Sequence, residues 1–250
     1  MVDKEQQHSR GIYLLPNLFT TAGLFAGFYA IVAGIRGDFE VAAAAIFIAM
    51  IMDGLDGRIA RMTNTQSAFG AEYDSLADMV SFGLAPALVI FQWSLFDMGK
   101  FGWMVAFIYA ACAALRLARF NTQIGIIDKR FFQGLPSPAA AATLAGWVWV
   151  GTNNDFAPST MAIISLPLTL ACGLLMVSTV RYHSFKELDP KGKVPFIVML
   201  VIVLVFALVA IDPPIVLFTI FAAYALSGPI FTLRKLRQHR SGRNPNQSDT

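Results

Sequence analysis

The stretch Asp53-Gly54-Leu55-Asp56-Gly57-Arg58-Ile59-Ala60-Arg61, continued by Gly70, Asp74 and Asp78, sets four aspartates in a chain that is 56% hydrophobic and only 14% charged. A soluble domain carries about 25% charged residues. Mean hydropathy is +0.59, and apolar runs recur from Leu14 almost to Arg234 with no polar half between them. This composition excludes a soluble globular protein and marks an all-α, polytopic membrane helix bundle, read as one domain. An aspartate at the centre of a membrane helix costs about 2.5–3.5 kcal/mol, so four facing lipid would cost on the order of 10 kcal/mol. Something must compensate those charges, and the natural candidate is metal.

Outward from this stretch, the apolar runs predict about eight transmembrane helices, near residues 15–35, 39–62, 67–95, 101–120, 136–151, 158–180, 194–211 and 214–233. Residues 1–13 read as a cytoplasmic or interfacial segment, 14–235 as the membrane domain and 236–250 as a polar, disordered cytoplasmic tail. The third run exceeds the roughly 20 residues a bilayer needs, so its start is expected to project into water with Ser67, Gly70, Glu72 and Asp74. No secretory signal is read at the N-terminus. Cys112 and Cys172 sit in mid-run and read as small core residues, while Trp93, Trp103, Trp147 and Trp149 suit aromatic belts.

The positive-inside rule orients the helices. With both termini in the cytoplasm, every lysine and arginine except Arg36 and Lys100 falls on the cytoplasmic side. The aspartates and Arg61 then lie at the cytoplasmic ends of their helices. Lys129, Arg130 and the basic residues from Arg181 to Lys193 read as contacts to anionic lipid.

At 100° per residue, Asp56, Gly57, Ala60 and Arg61 lie at about −60°, +40°, −20° and +80° from Asp53, on one helical face. Gly70, Ser67, Asp78 and Ser81 lie within about 40° of Asp74 on the next helix. Two antiparallel helices joined by a short turn can point these stripes at each other, walled by Gly57, Ala60 and Gly70 where a ligand approaches the backbone. Four carboxylates without histidine or cysteine make a hard oxygen site suited to Mg²⁺ or Mn²⁺, with Ca²⁺ also fitting. Two ions can share bridging aspartates. Arg61 adds a guanidinium fork for phosphate. The competing readings are buried salt bridges to Arg58, Arg61 and Arg116, and a divalent-cation or proton pathway. Against the pathway, the acids cluster at one end and none continues toward the outside.

The pattern Asp53-x-x-Asp56-Gly57-x-x-Ala60-Arg61, then Gly70-x-x-x-Asp74-x-x-x-Asp78, resembles the signature of the CDP-alcohol phosphatidyltransferase family at every position. Pro16-Asn17-Leu18-Phe19-Thr20, Ser81-Phe82-Gly83-Leu84-Ala85-Pro86, Leu115 to Asn121, Gly134 to Pro138 and Leu175 to Ser178 are similar to its bacterial serine-accepting members. The resemblance implies that Asp53, Asp56 and Asp74 bind one metal ion and Asp53, Asp74 and Asp78 a second. It further implies that Asp78 is the general base, and that Gly57, Arg61 and Ser67 contact CDP-diacylglycerol with Asn17 and Thr20 nearby. Ala60 and Gly70 belong to the same binding surface. The implied reaction transfers the phosphatidyl group to the hydroxyl of L-serine with release of CMP, in a homodimer embedded among membrane lipids and without nucleic acid.

The acceptor is decided elsewhere. Serine carries a carboxylate, which requires an arginine or backbone donors. Arg116, Arg119 and Asn121 sit at the expected depth for that task, although interfacial snorkelling accounts equally well for either arginine. The same chemistry with glycerol 3-phosphate, inositol phosphate or choline remains open, as does a divalent-cation transporter.

Overall fold

The computed structural model describes residues 10–122, 131–183 and 196–241. Lys4, Lys129, Arg130, Lys186, Lys191, Lys193 and Arg243 lie outside these residues, as do most of segment 1–13 and the end of segment 236–250. The described chain is helical apart from two three-residue strands. In order it comprises α1 (Arg10–Arg36), α2 (Phe39–Met62), α3 (Ala68–Asp78), a π-helical turn (Met79–Leu84), α4 (Ala85–Ile90), a second π-helical turn (Phe91–Leu95) and a 3₁₀ turn (Phe96–Met98). Next come α5 (Lys100–Thr122), β1 (Phe131–Gln133), α6 (Ser137–Asn153), α7 (Pro158–Val177), β2 (Arg181–His183), α8 (Phe196–Ile211) and α9 (Pro213–Ser241).

Among the described residues, five helices are long and apolar enough to cross a membrane: Leu15–Arg36, Ala68–Met98, Lys100–Thr122, Pro158–Val177 and Pro213–Thr232. This makes the chain a membrane protein, with fewer crossings by this measure than the eight expected. The difference has physical causes. Helix α2 carries Glu40, Asp53, Asp56 and Arg58, and α6 has only 17 residues. Helix α9 runs on to Ser241, so the backbone stays helical well past Leu233, into the region expected to be a disordered tail.

Small residues set the packing. Helix α1 lies along α2, α2 against α6, α6 against α9 and α5 against α7. The α2 stretch Ala42, Ala43, Ala45 and Ala49 is buried, as is the α6 stretch Ala139 to Ala142. Without a hydrophobic drive between helices in lipid, such close backbone approach supplies the dispersion energy that holds them. At Gly27 α1 comes tightly against the chain, since a Cβ there would lie 2.7 Å from Ser81 Cα. Both cysteines are buried and free.

Three of the four tryptophans depart from the belt expectation. Only Trp103 is exposed; Trp93 is buried, Trp147 donates to Ser165 Oγ at 2.9 Å, and Trp149 packs on Phe47. The strands β1 and β2 also have no counterpart in the sequence reading. They pair antiparallel with Phe132 opposite Tyr182, closing the end of α7 against the segment that leads into α6. Three residues are too few for any alternating pattern to declare a strand.

Replacing Gly27 with valine would drive a branched side chain into the Ser81 backbone. The variant is expected to lose several degrees of thermal stability in detergent, whereas Gly54→Ala, where a Cβ meets nothing within 4 Å, should match the parent.

Candidate active site

The turn Thr63–Ser67 reverses the chain between α2 and α3. Asn64 takes a left-handed φ of 54°, and the Thr63 hydroxyl donates to Ile59 O at 2.7 Å. Ser67 then caps α3, its Oγ accepting from the Gly70 amide at 3.0 Å. Rather than packing directly on each other, α2 and α3 both lean on α1 and face across a cleft. In it, carboxylate oxygens of Asp53, Asp56 and Asp74 come within 4.8 Å of one another. Asp78 lines the same cleft with Thr20, Gly23, Ala49, Ala77, Ser81 and Phe82.

Thr20 supplies a contact the sequence did not disclose. Its hydroxyl donates to Asp56 Oδ2 at 2.7 Å and lies 3.2 Å from Pro16 O. With one proton to give, the carboxylate takes it. Asp56 is only 5% exposed, so this bond fixes the direction of a buried charge. Ser81 donates to Gly23 O at 3.1 Å and ties the turn after Asp78 to α1.

The carboxylate group is a hard, all-oxygen donor set, and its convergence is what a divalent cation accounts for. The enclosed part of the cleft has a volume of only about 10 Å³, room for roughly one water-sized group, so a nucleotide must extend out of it. Of the groups expected to meet that nucleotide, Thr20 lines the cleft and the others lie outside its lining. Arg61 is exposed, with Nη1 3.7 Å from where a Cβ on Gly57 would sit; Ala60 is half-buried on the same helix. Ser67, Gly70 and Asn17 form a second polar group, with Asn17 Oδ1 3.5 Å from the Cβ position of Gly70. Gly57, Ala60 and Gly70, expected as walls of the carboxylate pocket, are not in the cleft lining, where the small residues are Gly23, Ala49 and Ala77.

The α5 residues divide. Arg119 directs its guanidinium at backbone carbonyls of Val177 (3.1 Å), Met176 (3.4 Å), Ser178 (3.5 Å) and Gln133 (3.5 Å). It thereby satisfies the open C-terminal end of α7. Asn121 Nδ2 donates to Ser75 Oγ at 3.0 Å, beside Asp74. Arg116 turns inward: Nη1 donates to Ser137 Oγ at 2.8 Å, its charge acts on Asp78, and its buried Nε has no partner among the described residues. Ser137 was legible only as part of the Gly134–Pro138 segment.

Mn²⁺ titration followed by electron paramagnetic resonance should report these roles. Asp56→Asn is expected to weaken binding by more than tenfold and Thr20→Val by about tenfold, as for other residues that orient a ligand. Unchanged affinity in Asp56→Asn would remove it from the ligand set.

Residues 13–175 match the CDP-alcohol phosphatidyltransferase family. Among curated proteins, the chain is 37% identical to the CDP-diacylglycerol–serine O-phosphatidyltransferase of Helicobacter pylori (strain ATCC 700392 / 26695) over 195 residues, 78% of this chain and 82% of that one. It is 41% identical to the protein of the same name from Methanocaldococcus jannaschii over 140 residues, 56% of this chain and 62% of the relative. The archaetidylserine synthase of Methanothermobacter thermautotrophicus is 32% identical over 170 residues, covering 67% and 69%. With the family matched over most of its length and an aspartate cluster in the expected place, the chain belongs to the CDP-alcohol phosphatidyltransferases.

Proposed function

We propose that this enzyme transfers the phosphatidyl group of CDP-diacylglycerol to the hydroxyl of L-serine, releasing CMP. The observation that carries the reading is the convergence of Asp53, Asp56 and Asp74 beside Asp78, on a chain whose relatives are named for that reaction. Asp53, Asp56, Asp74 and Asp78 would hold two divalent ions, Mg²⁺ or Mn²⁺, which when bound neutralise the pyrophosphate and stabilise the departing CMP. Gly57, Ala60, Arg61, Ser67, Gly70, Asn17 and Thr20 form the CDP-diacylglycerol side. Asp78 takes the proton of the serine hydroxyl as its oxygen attacks the lipid-bearing phosphorus. The new P–O bond forms as the bond to the bridging pyrophosphate oxygen breaks, and CMP leaves with that electron pair.

For the serine carboxylate, Arg116 is the preferred partner over Arg119. Its guanidinium lies in the field of Asp78 and has a buried N–H with no partner among the described residues, whereas Arg119 is committed to four carbonyls. Asn121, through Ser75, holds α5 against α3. Helices α2, α6 and α8 complete eight crossings with both termini and the active site in the cytoplasm. The assembly is a homodimer in the cell membrane.

CMP release from CDP-diacylglycerol in detergent, with Mg²⁺ or Mn²⁺ and each alcohol in turn, tests the reaction. Turnover is expected with serine; turnover confined to glycerol 3-phosphate, inositol phosphate or choline would replace the acceptor. Metal flux in vesicles without any CMP release would favour a transporter. Asp78→Asn should lose at least about a thousandfold in kcat while still binding CDP-diacylglycerol. Arg116→Lys should raise the KM for serine more than that for CDP-diacylglycerol, because an ammonium cannot reproduce the fork; equal rises would return the residue to a structural role.

A further inference from the structure

Pro86 has no N–H, so it cannot make the bond that a regular α-helix would make to the carbonyl four residues earlier, that of Phe82. An unpaired carbonyl is costly within a bilayer, where no water replaces the bond. The hydroxyl of Tyr109, a fully buried α5 residue, donates to Phe82 O at 3.1 Å. Pro229 creates the same deficit at Ala225, and there the hydroxyl of Tyr182 donates at 2.9 Å. Two tyrosines thus perform one chemical task at two prolines.

Their surroundings differ. Phe82 lies in the π-helical turn Met79–Leu84, which begins immediately after Asp78. In that turn the Ala85 N–H reaches back five residues to Val80 O. One extra residue in a helical turn rotates the helix on its N-terminal side by about 100° relative to the helix on its C-terminal side. The turn is pinned to α1 by Ser81 and to α5 by Tyr109. It therefore sets the direction in which Asp78, and Asp74 one turn before it, enter the cleft. Ala225 lies on α9, which bears none of the aspartates and contributes nothing to the cleft lining.

We propose that Tyr109 is a positioning residue: by donating to the Phe82 carbonyl, to which Pro86 cannot donate, it fixes the π-helical turn and so aims Asp78 and Asp74. This rests on reading the cleft as the active site.

Tyr109→Phe and Tyr182→Phe, made in the full chain, each remove one hydroxyl and strand one carbonyl. Both are expected to lower the melting temperature by a few degrees. Only Tyr109→Phe should lower kcat for CMP release, by about tenfold with both KM values within about twofold, and weaken Mn²⁺ binding by about threefold. Equal kinetic losses in the two variants, or wild-type kcat and Mn²⁺ affinity in Tyr109→Phe, would overturn the assignment. If Tyr109→Phe does not fold, adding Pro86→Ala returns a backbone donor to Phe82 O. A folded double variant that regains stability but not kcat supports positioning, and one that regains both reduces Tyr109 to capping a carbonyl. Wild-type chain that binds Mn²⁺ yet releases no CMP would sink the transfer reaction alone, leaving the Mn²⁺ comparison to decide on Tyr109. Wild-type chain that binds no Mn²⁺ overturns both.

Discussion

Mutual repulsion among carboxylates is the constraint on which the bundle turns. Oxygens of Asp53, Asp56 and Asp74 lie within 4.8 Å of one another. At that distance and an effective dielectric constant of about 20, each like-charged pair costs about 3.5 kcal/mol. The hydrogen bond from Thr20 to Asp56 returns about 1.5–3 kcal/mol, less than one such pair. A divalent cation bound among the three carboxylates would offset that repulsion directly. The fold supplies the strain-bearing frame, and the ligand supplies the balance.

That frame depends on close backbones. Gly23 and Gly27 let α1 approach α2 and the π-helical turn, and Ser81 converts the approach into a hydrogen bond to Gly23 O. Because α1 supports both α2 and α3, the two aspartate stripes are held apart by a cleft instead of closing on each other. A bundle with larger residues at these positions would push the stripes beyond shared coordination. The small residues are thus part of the electrostatics as well as of the packing.

Much of this was legible in the chain. Helical periodicity put Asp53 with Asp56 and Asp74 with Asp78 on common faces, and apolar run length gave the membrane class. What was not legible had a common cause: dependence on partners far away in sequence. Thr20 reaches Asp56 across α1 and α2, Arg116 reaches Ser137, and Arg119 caps α7. Helical angles measured from one helix also misplaced the cleft wall, assigning to Gly57 and Ala60 what Gly23, Ala49 and Ala77 provide from three helices. The π-helical turn escaped because an ideal 100° step cannot register an inserted residue.

Arg116 and Arg119 show why residue type alone could not assign the acceptor site. They are one turn apart on α5 and identical in chemistry, but they meet different deficits. Arg119 lies where α7 ends and its last carbonyls lack donors, so a rigid cation with several N–H groups is absorbed by the fold. Arg116 lies among side chains, satisfied in part by Ser137 and attracted by Asp78. A guanidinium is costly to bury unless its hydrogen bonds are filled. Arg116 therefore stays only partly compensated, within the electrostatic reach of the residue that would take the acceptor's proton. A carboxylate arriving there with its hydroxyl toward Asp78 would complete the hydrogen bonding of the one arginine while presenting its nucleophile to the other residue. An acceptor without an anionic group would leave Arg116 uncompensated. On the proposed reading, the same pair of residues would link recognition of the acceptor's carboxylate to the proton transfer itself.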